Sequence, residues 1–269
     1  MNSLYTELSY ILKGRKPWTT GYGEHREREI RHALDNHSLL DTFRDGGKLP
    51  AKYGYRLDER IIEYPWVVSL LRYNSGILLD AGATLNQPYI IPRLENYDCT
   101  VSSLSEECNK LSELSYTTGD LRHTDFLDNS FDVIVCISTL EHIGMDNTKF
   151  YTTDPKYNEY KPHDYLLAVK EFKRLVKPGG KVLITVPFGK YENLLWLQQF
   201  DLKMIMNIAA TFGGEGKVSY YKYLPDGWQI SSVLDCSGSS YFDIHSQSYE
   251  SDYVAASRSV ACLELKRGE

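Results

Sequence analysis

The run Ile77-Leu78-Leu79-Asp80-Ala81-Gly82-Ala83 constrains this chain more than any other part of it. An apolar strand that ends in an acid and turns through small residues lets a backbone come close to a ligand, and the acid at its tip receives a polar group. Further along, Val176-Lys177-Pro178-Gly179-Gly180-Lys181-Val182-Leu183-Ile184-Thr185-Val186-Pro187 combines a proline-glycine turn with a second apolar run. Segments 76–80, 99–104, 131–138, 181–188 and 258–265 read as strands. They alternate with helical spacing over 24–40, 162–176 and 197–212, which predicts parallel βαβ units and a binding crevice at the carboxyl ends of the strands.

The chain divides at 75/76 into an aromatic, charged N-terminal lid or substrate-binding extension and a cofactor-binding domain, 76–269. Within the latter, 189–256 reads as an insertion, with a serine-rich part at 220–252 that turns at Pro225-Asp226-Gly227.

A net charge of −6 and the absence of any basic run argue against nucleic acid and anionic membranes and for a small acceptor. No stretch has the length of apolar residues that spans a bilayer, and the N-terminus shows no signal pattern, so the expected compartment is the cytoplasm. Cys99, Cys108, Cys136, Cys236 and Cys262 form no CxxC pair and read as reduced core thiols rather than metal ligands.

The turn after the first strand, Asp80-Ala81-Gly82-Ala83-Thr84-Leu85-Asn86, lacks the GxGxxG spacing of a dinucleotide fingerprint. This speaks against a nicotinamide dehydrogenase and for a cofactor with a nucleoside and an amino-acid tail but no phosphates. Three further motifs follow in order: Gly119-Asp120-Leu121-Arg122, then Phe131-Asp132-Val133-Ile134-Val135-Cys136 leading to Ser138-Thr139-Leu140-Glu141-His142-Ile143, then Lys177-Pro178-Gly179-Gly180. Together they resemble the Rossmann-like class I methyltransferases that use S-adenosylmethionine (SAM).

That resemblance covers 77–188. It implies an α/β fold with a seven-stranded, mostly parallel sheet, helices on both faces and an N-terminal helical lid. It sets Asp80, Ala81, Gly82 and Ala83 against the methionine part of SAM, and Asp120 with the backbone of Leu121 at the adenine. Ser138 belongs to the stretch 136–139 that lines the crevice below the sulfonium.

Relatives commonly carry an acid after the second strand for the ribose. Here Ser103, a backbone group, Glu106 or Glu107 takes that place, or Ser103 and Glu106 form a helix-start capping box. Trp18 and Tyr22 are expected to close over the cofactor. His25, Arg60, Glu63, Asp146, Asn147 and Lys190 are expected at the acceptor.

His142 is the expected base, with Glu141 beside it, because it lies just past the fourth strand and an imidazole suits proton transfer at neutral pH. Packing beside the strand end is the other reading of His142. Some relatives hold a divalent metal in a Glu-x-x-Glu-His segment, but Ser138 stands where the first acid would be, so no metal is expected.

Several segments are also similar to a bacterial branch found among surface-polysaccharide genes: Pro17-Trp18-Thr19-Thr20-Gly21-Tyr22, 57–66, 141–147 and 186–191. This implies O-methylation of a sugar, as a nucleotide sugar or within a glycan. Methylation of the oxygen or nitrogen of another metabolite, and a degenerate fold that binds SAM without turnover, are the alternatives.

Overall fold

The computed structural model describes residues 3–269. Four helices come first: α1 (Ser3–Leu12), α2 (Tyr22–Asp35), α3 (His37–Asp45) and α4 (Arg60–Leu71). The helix expected over 24–40 is thus two helices. Asn36 leaves helical geometry and accepts a hydrogen bond from the Leu39 amide, which ends α2 and caps α3.

The strands are β1 (Gly76–Ala81), β2 (Tyr97–Ser103), β3 (Ser115–Thr118), β4 (Phe131–Ile137), β5 (Val176–Pro187), β6 (Glu192–Asn193), β7 (Gln198–Gln199), β8 (Glu215–Leu224), β9 (Gly227–Ser231) and β10 (Ser259–Lys266). Helix α5 (Tyr165–Leu175) precedes β5, α6 (Leu202–Phe212) precedes β8, and the short α7 (Val233–Cys236) follows β9. Asp201 accepts from the Met204 amide and starts α6 later than the sequence pattern predicts, because 198–199 pair in the ribbon β6-β7.

The main sheet has the order β3-β2-β1-β4-β5-β10-β8-β9. From β3 to β5 all neighbours are parallel, and from β5 to β9 all are antiparallel. This is the Rossmann-like methyltransferase architecture, with eight strands instead of the seven expected. The additional strand arises in the segment read as an insertion: the turn at Pro225-Asp226 joins β8 and β9 into a hairpin that extends the sheet. Strand β3, with the sequence Ser-Tyr-Thr-Thr, lies at the edge and lacks the apolar run that would have marked it.

Side chains along each strand alternate between two layers. Leu79, Ile134, Cys136, Ile184 and Leu263 pack with Val169 and Phe172 of α5 and Ile205 and Ile208 of α6. Leu78, Val133, Val135, Leu183 and Cys262 face the other way, against Ile30, Leu34, Phe43, Ile62, Val67 and Leu71 of the N-terminal helices. The link from β1 to β2 contains only the 3-10 turn Ile91–Arg93, so helices α2 to α4 cover the face that a crossover helix would otherwise cover. The N-terminal segment therefore shares one core with the sheet.

Cys99, Cys136, Cys236 and Cys262 are buried and free, whereas Cys108 is exposed. Among the described residues no helix is long and apolar enough to cross a membrane.

Candidate active site

The carboxyl ends of β1 to β4 enclose a crevice with two adjoining lobes of about 70 and 200 Å³, both bordered by Gly82, Ser103, Leu104, Thr139, His142 and Asn147. Gly82 is required there. Its φ is +125°, and a Cβ would lie 2.0 Å from Thr139 Oγ1. A Cβ at Gly119, on the opposite wall, would meet nothing within 4 Å, so that backbone faces open space.

Asp80 lines neither lobe. It is fully buried, and its carboxylate accepts from the Leu85 amide at 2.8 Å and from Thr84 Oγ1 at 3.4 Å, which fixes the turn that presents Gly82. Burial pushes its carboxyl up to about 7 against the lowering effect of those hydrogen bonds. Ala81 is buried in the α5 side of the core, and Ala83 holds the left-handed conformation at φ +61°.

Asp120 and Leu121 both border the crevice. Burial would raise the Asp120 carboxyl, but hydrogen bonds and charge from Arg122, 2.6 Å away, outweigh burial and hold it below the usual range. Ser103 Oγ donates to the Ser105 carbonyl at 2.6 Å, and Glu106 pairs with Lys110. The capping box is therefore absent, since no helix follows β2.

A second cavity of about 450 Å³ lies beyond His142. Arg60, Ser138, His142 and Tyr151 border both this cavity and the larger lobe of the crevice, so the two spaces meet at these side chains. The His142 ring stacks on Trp196 at 5.5 Å, and its Nδ1 lies 2.9 Å from the Trp196 carbonyl. Burial pushes the imidazole down to about 4, although that carbonyl favours the cation, so the ring is neutral at neutral pH. A carbonyl only accepts, so Nδ1 carries the hydrogen and Nε2 keeps its lone pair, 3.2 Å from the Tyr151 hydroxyl.

Glu141 also lines the cavity at 3% exposure. Its Oε2 has no hydrogen-bond partner, and burial, with the charges of Glu63 and Glu59, drives its carboxyl well above the usual range. Glu63 lies behind the cavity wall. It is fully buried, ion-paired with Arg60, and accepts from Ser138 Oγ at 2.7 Å and Thr185 Oγ1 at 2.6 Å.

The remaining expected site residues separate. Trp18, 42% exposed, borders the cavity and not the crevice, with Nε1 donating to the Ala255 carbonyl at 2.6 Å. Tyr22 is a core residue whose hydroxyl accepts from the Asp58 amide, so it does not reach the cofactor crevice. His25 is buried against Glu7 of α1, at 2.9 Å, and borders neither space. Asp146 caps a 3-10 turn by accepting from the Thr148 amide, and Lys190 is exposed and lines neither space. Asn147 borders the crevice and donates to the His142 carbonyl at 2.8 Å, which makes it a support for the His142 backbone.

Sequence reasoning missed Arg26, Glu59, Tyr151, Trp196, Tyr241 and Asp243, all on the cavity wall. Glu59 adjoins the quoted Arg60. The others come from segments with no motif of their own.

Residues 93–184, roughly a third of the chain, match the family described as a methyltransferase domain. The matched segment contains β2 to β4, most of β5 and every crevice-lining residue except Arg60, Gly82 and Thr84. That part of the chain is similar to a methyltransferase domain. No curated protein matches the sequence.

Among solved structures, a 1,6-didemethyltoxoflavin-N1-methyltransferase of Burkholderia thailandensis, with 1,6-didemethyltoxoflavin and S-adenosylhomocysteine bound, is 12% identical with a TM-score of 0.50. The likeness covers 90% of this chain and 89% of that one. YcgJ of Bacillus subtilis is 11% identical with a TM-score of 0.45, over 72% of this chain and 93% of that one. The first likeness shows the fold.

SAM is the methyl donor such a domain uses, and the crevice suits it. The glycine-lined walls admit a nucleoside at backbone distance, an acid is present at Asp120, and no phosphate-binding glycine loop follows β1.

Proposed function

We propose that the protein transfers the methyl group of SAM to a hydroxyl of a sugar, either nucleotide-linked or within a glycan, in surface-polysaccharide or related glycoconjugate synthesis. The observation that carries this reading is the second cavity. It opens onto the crevice at His142, has room for a monosaccharide, and is walled by carboxylates, guanidinium groups and the faces of Trp18, Trp196 and Tyr241. Polar groups at the rim of aromatic faces suit a ring that is apolar on its faces and hydroxylated at its edge.

Bound SAM supplies an electrophilic methyl group, whose S–CH3 bond breaks with its electron pair left on sulfur as a hydroxyl oxygen forms the O–CH3 bond. His142 does the proton work. Its Nδ1–H, anchored on the Trp196 carbonyl, keeps Nε2 unprotonated and aimed where the Tyr151 hydroxyl now lies, and an acceptor hydroxyl there gives its proton to Nε2. A low basicity suffices, because the hydroxyl becomes strongly acidic only as the O–CH3 bond forms. Glu63 acts at a distance, fixing Arg60 and Ser138 at the junction. Trp18 and Trp196 exclude water from the transfer.

The test is a screen of nucleotide sugars and free sugars with SAM, read by mass spectrometry of the products. A mass increase of one methyl on a sugar hydroxyl supports the reading. Methylation of non-sugar acceptors alone would remove it.

A further inference from the structure

The cavity contains more carboxyl groups than its cations match. Arg26 is ion-paired with Asp58, and Arg60 with Glu63. Three carboxyl groups on the wall, Glu59, Glu141 and Asp243, have no cationic partner within 4 Å among the described residues. Asp243 is satisfied by neutral donors, the His245 amide at 3.0 Å and Ser246 Oγ at 2.8 Å. Glu59 accepts from the Ser257 amide at 3.2 Å.

Glu141 is different. It is buried to 97%, its Oε2 is unpartnered, and it lines the cavity. A buried carboxyl oxygen left without a partner is costly, and since Glu141 itself borders the cavity, a donor on a ligand there relieves that cost.

The charge of Glu59 raises the proton affinity of Glu141, and both acids raise that of Tyr241, so the three share one region of the wall. Trp18, Tyr151, Trp196 and Tyr241 add aromatic faces around it. Carboxyl groups in excess of the paired cations Arg26 and Arg60, with aromatic rings on the same wall, are surroundings that hold an ammonium group by charge-assisted hydrogen bonds and cation–π attraction.

We infer that the acceptor carries a protonated amino group, seated between Glu59, Glu141 and the aromatic rings, with the hydroxyl to be methylated turned toward His142. This rests on the sugar reading above and narrows it to an amino sugar. The ammonium nitrogen has no free lone pair in this position, so it is an anchor and not the methylated atom. Filling the site with a cation also restores the ionised form that burial suppresses in Glu59, which is pushed up to about 8, and in Glu141.

The test uses the full chain saturated with S-adenosylhomocysteine and titrates two matched pairs by calorimetry at neutral pH: glucosamine against glucose, and benzylamine against benzyl alcohol. The amine of each pair should bind roughly tenfold tighter or better. Glu141→Gln, and Glu59→Gln combined with it, should erase that preference while leaving S-adenosylhomocysteine affinity and melting temperature near those of the native protein. The single variant keeps the side chain's size and hydrogen-bonding shape, so it carries the test if the double variant does not fold.

Equal binding within both pairs, no amine binding, or a preference that survives Glu141→Gln overturns the inference. Discrimination by the benzyl pair with no binding of either sugar supports the cation site and removes the sugar reading, so the two failures are distinguishable.

Discussion

The crevice and the cavity meet at His142, yet they are built by opposite means. The crevice is backbone and glycine. Its shape comes from the strand tips, from Gly82 and Gly119, and from a buried Asp80 carboxylate that holds the turn presenting Gly82. The cavity is side chains: carboxylates, guanidinium groups and aromatic rings from α2, the start of α4, the stretch after β4, the ribbon, and the return segment before β10.

A site shaped by backbone can tolerate surface change but not an added Cβ, whereas a site made of side chains can change its ligand through single substitutions. Residues of the crevice should therefore govern donor affinity and those of the cavity acceptor affinity. His142, which borders both, should govern turnover.

The largest effect tests that boundary. His142→Ala should lower turnover at saturating acceptor by ~10²- to 10⁴-fold, while S-adenosylhomocysteine affinity changes by about threefold or less. Turnover at the native rate would remove His142 from the chemistry and direct attention to Glu141.

Next comes the crevice itself. Gly82→Val adds a Cβ where Thr139 Oγ1 would lie 2.0 Å away, on a backbone at φ +125°. S-adenosylhomocysteine affinity should fall roughly 10- to 150-fold, as expected for overpacking a tight site, with melting followed in parallel to separate misfolding from lost binding. Unchanged affinity would mean the donor does not pass Gly82. The complementary change, Trp18→Ala, should raise the acceptor KM about 5- to 30-fold and leave donor affinity alone, because Trp18 borders only the cavity. A weakened donor instead would put Trp18 over the cofactor after all.

The same contrast explains what the sequence disclosed. Ile77 to Ala83, the Gly119-Asp120 pair and the Lys177-Pro178-Gly179-Gly180 turn are contiguous motifs, because a crevice of strand tips needs only local spacing, and they pointed to the mostly parallel sheet and to the crevice that Gly82, Asp120 and Leu121 border. The cavity was legible only at His142, Glu141, Ser138, Arg60 and Trp18. Arg26, Trp196, Tyr241 and Asp243 come together through tertiary packing that no local period encodes. Tyr22 and His25 carried a ligand's chemistry in sequence but are spent on Asp58 and Glu7 inside the helical layer. Strand β8 and its hairpin were hidden by tyrosines, serines and lysines that alternate poorly between apolar and polar.

A smaller effect concerns pH. In the proposed mechanism the neutral imidazole of His142 takes the proton, and burial holds the cation off until pH falls to about 4. The acid limb of kcat should therefore lie near 4 to 5, without a step at the ordinary histidine value of ~6.5. Stability should move with it. In the unfolded chain this histidine takes a proton below ~6.5 but in the fold only below about 4, so it contributes a loss of stability as pH falls through that window. His142→Ala should flatten this part of the melting profile. A rate step near 6.5 would mean the imidazole is solvated in the working complex.

The smallest expected effect is that of a chelator. The segment Ser138-Thr139-Leu140-Glu141-His142 is where a divalent ion would have to bind, and the donors near Glu141 have other tasks. Ser138 Oγ donates to Glu63, His142 presents Nδ1–H to a carbonyl, and the Asp146 carboxylate accepts from the Thr148 amide and hydroxyl. Freeing any of these would break a buried hydrogen bond that positions the junction, and a hard cation would gain few oxygens in return. Methyl transfer should therefore run at the same rate in EDTA, and added magnesium or manganese should not change it. Loss of activity in EDTA, restored by either ion, would show that the transfer uses a divalent metal after all. The crevice and the cavity would then differ in the cofactors they hold as well as in how they are built.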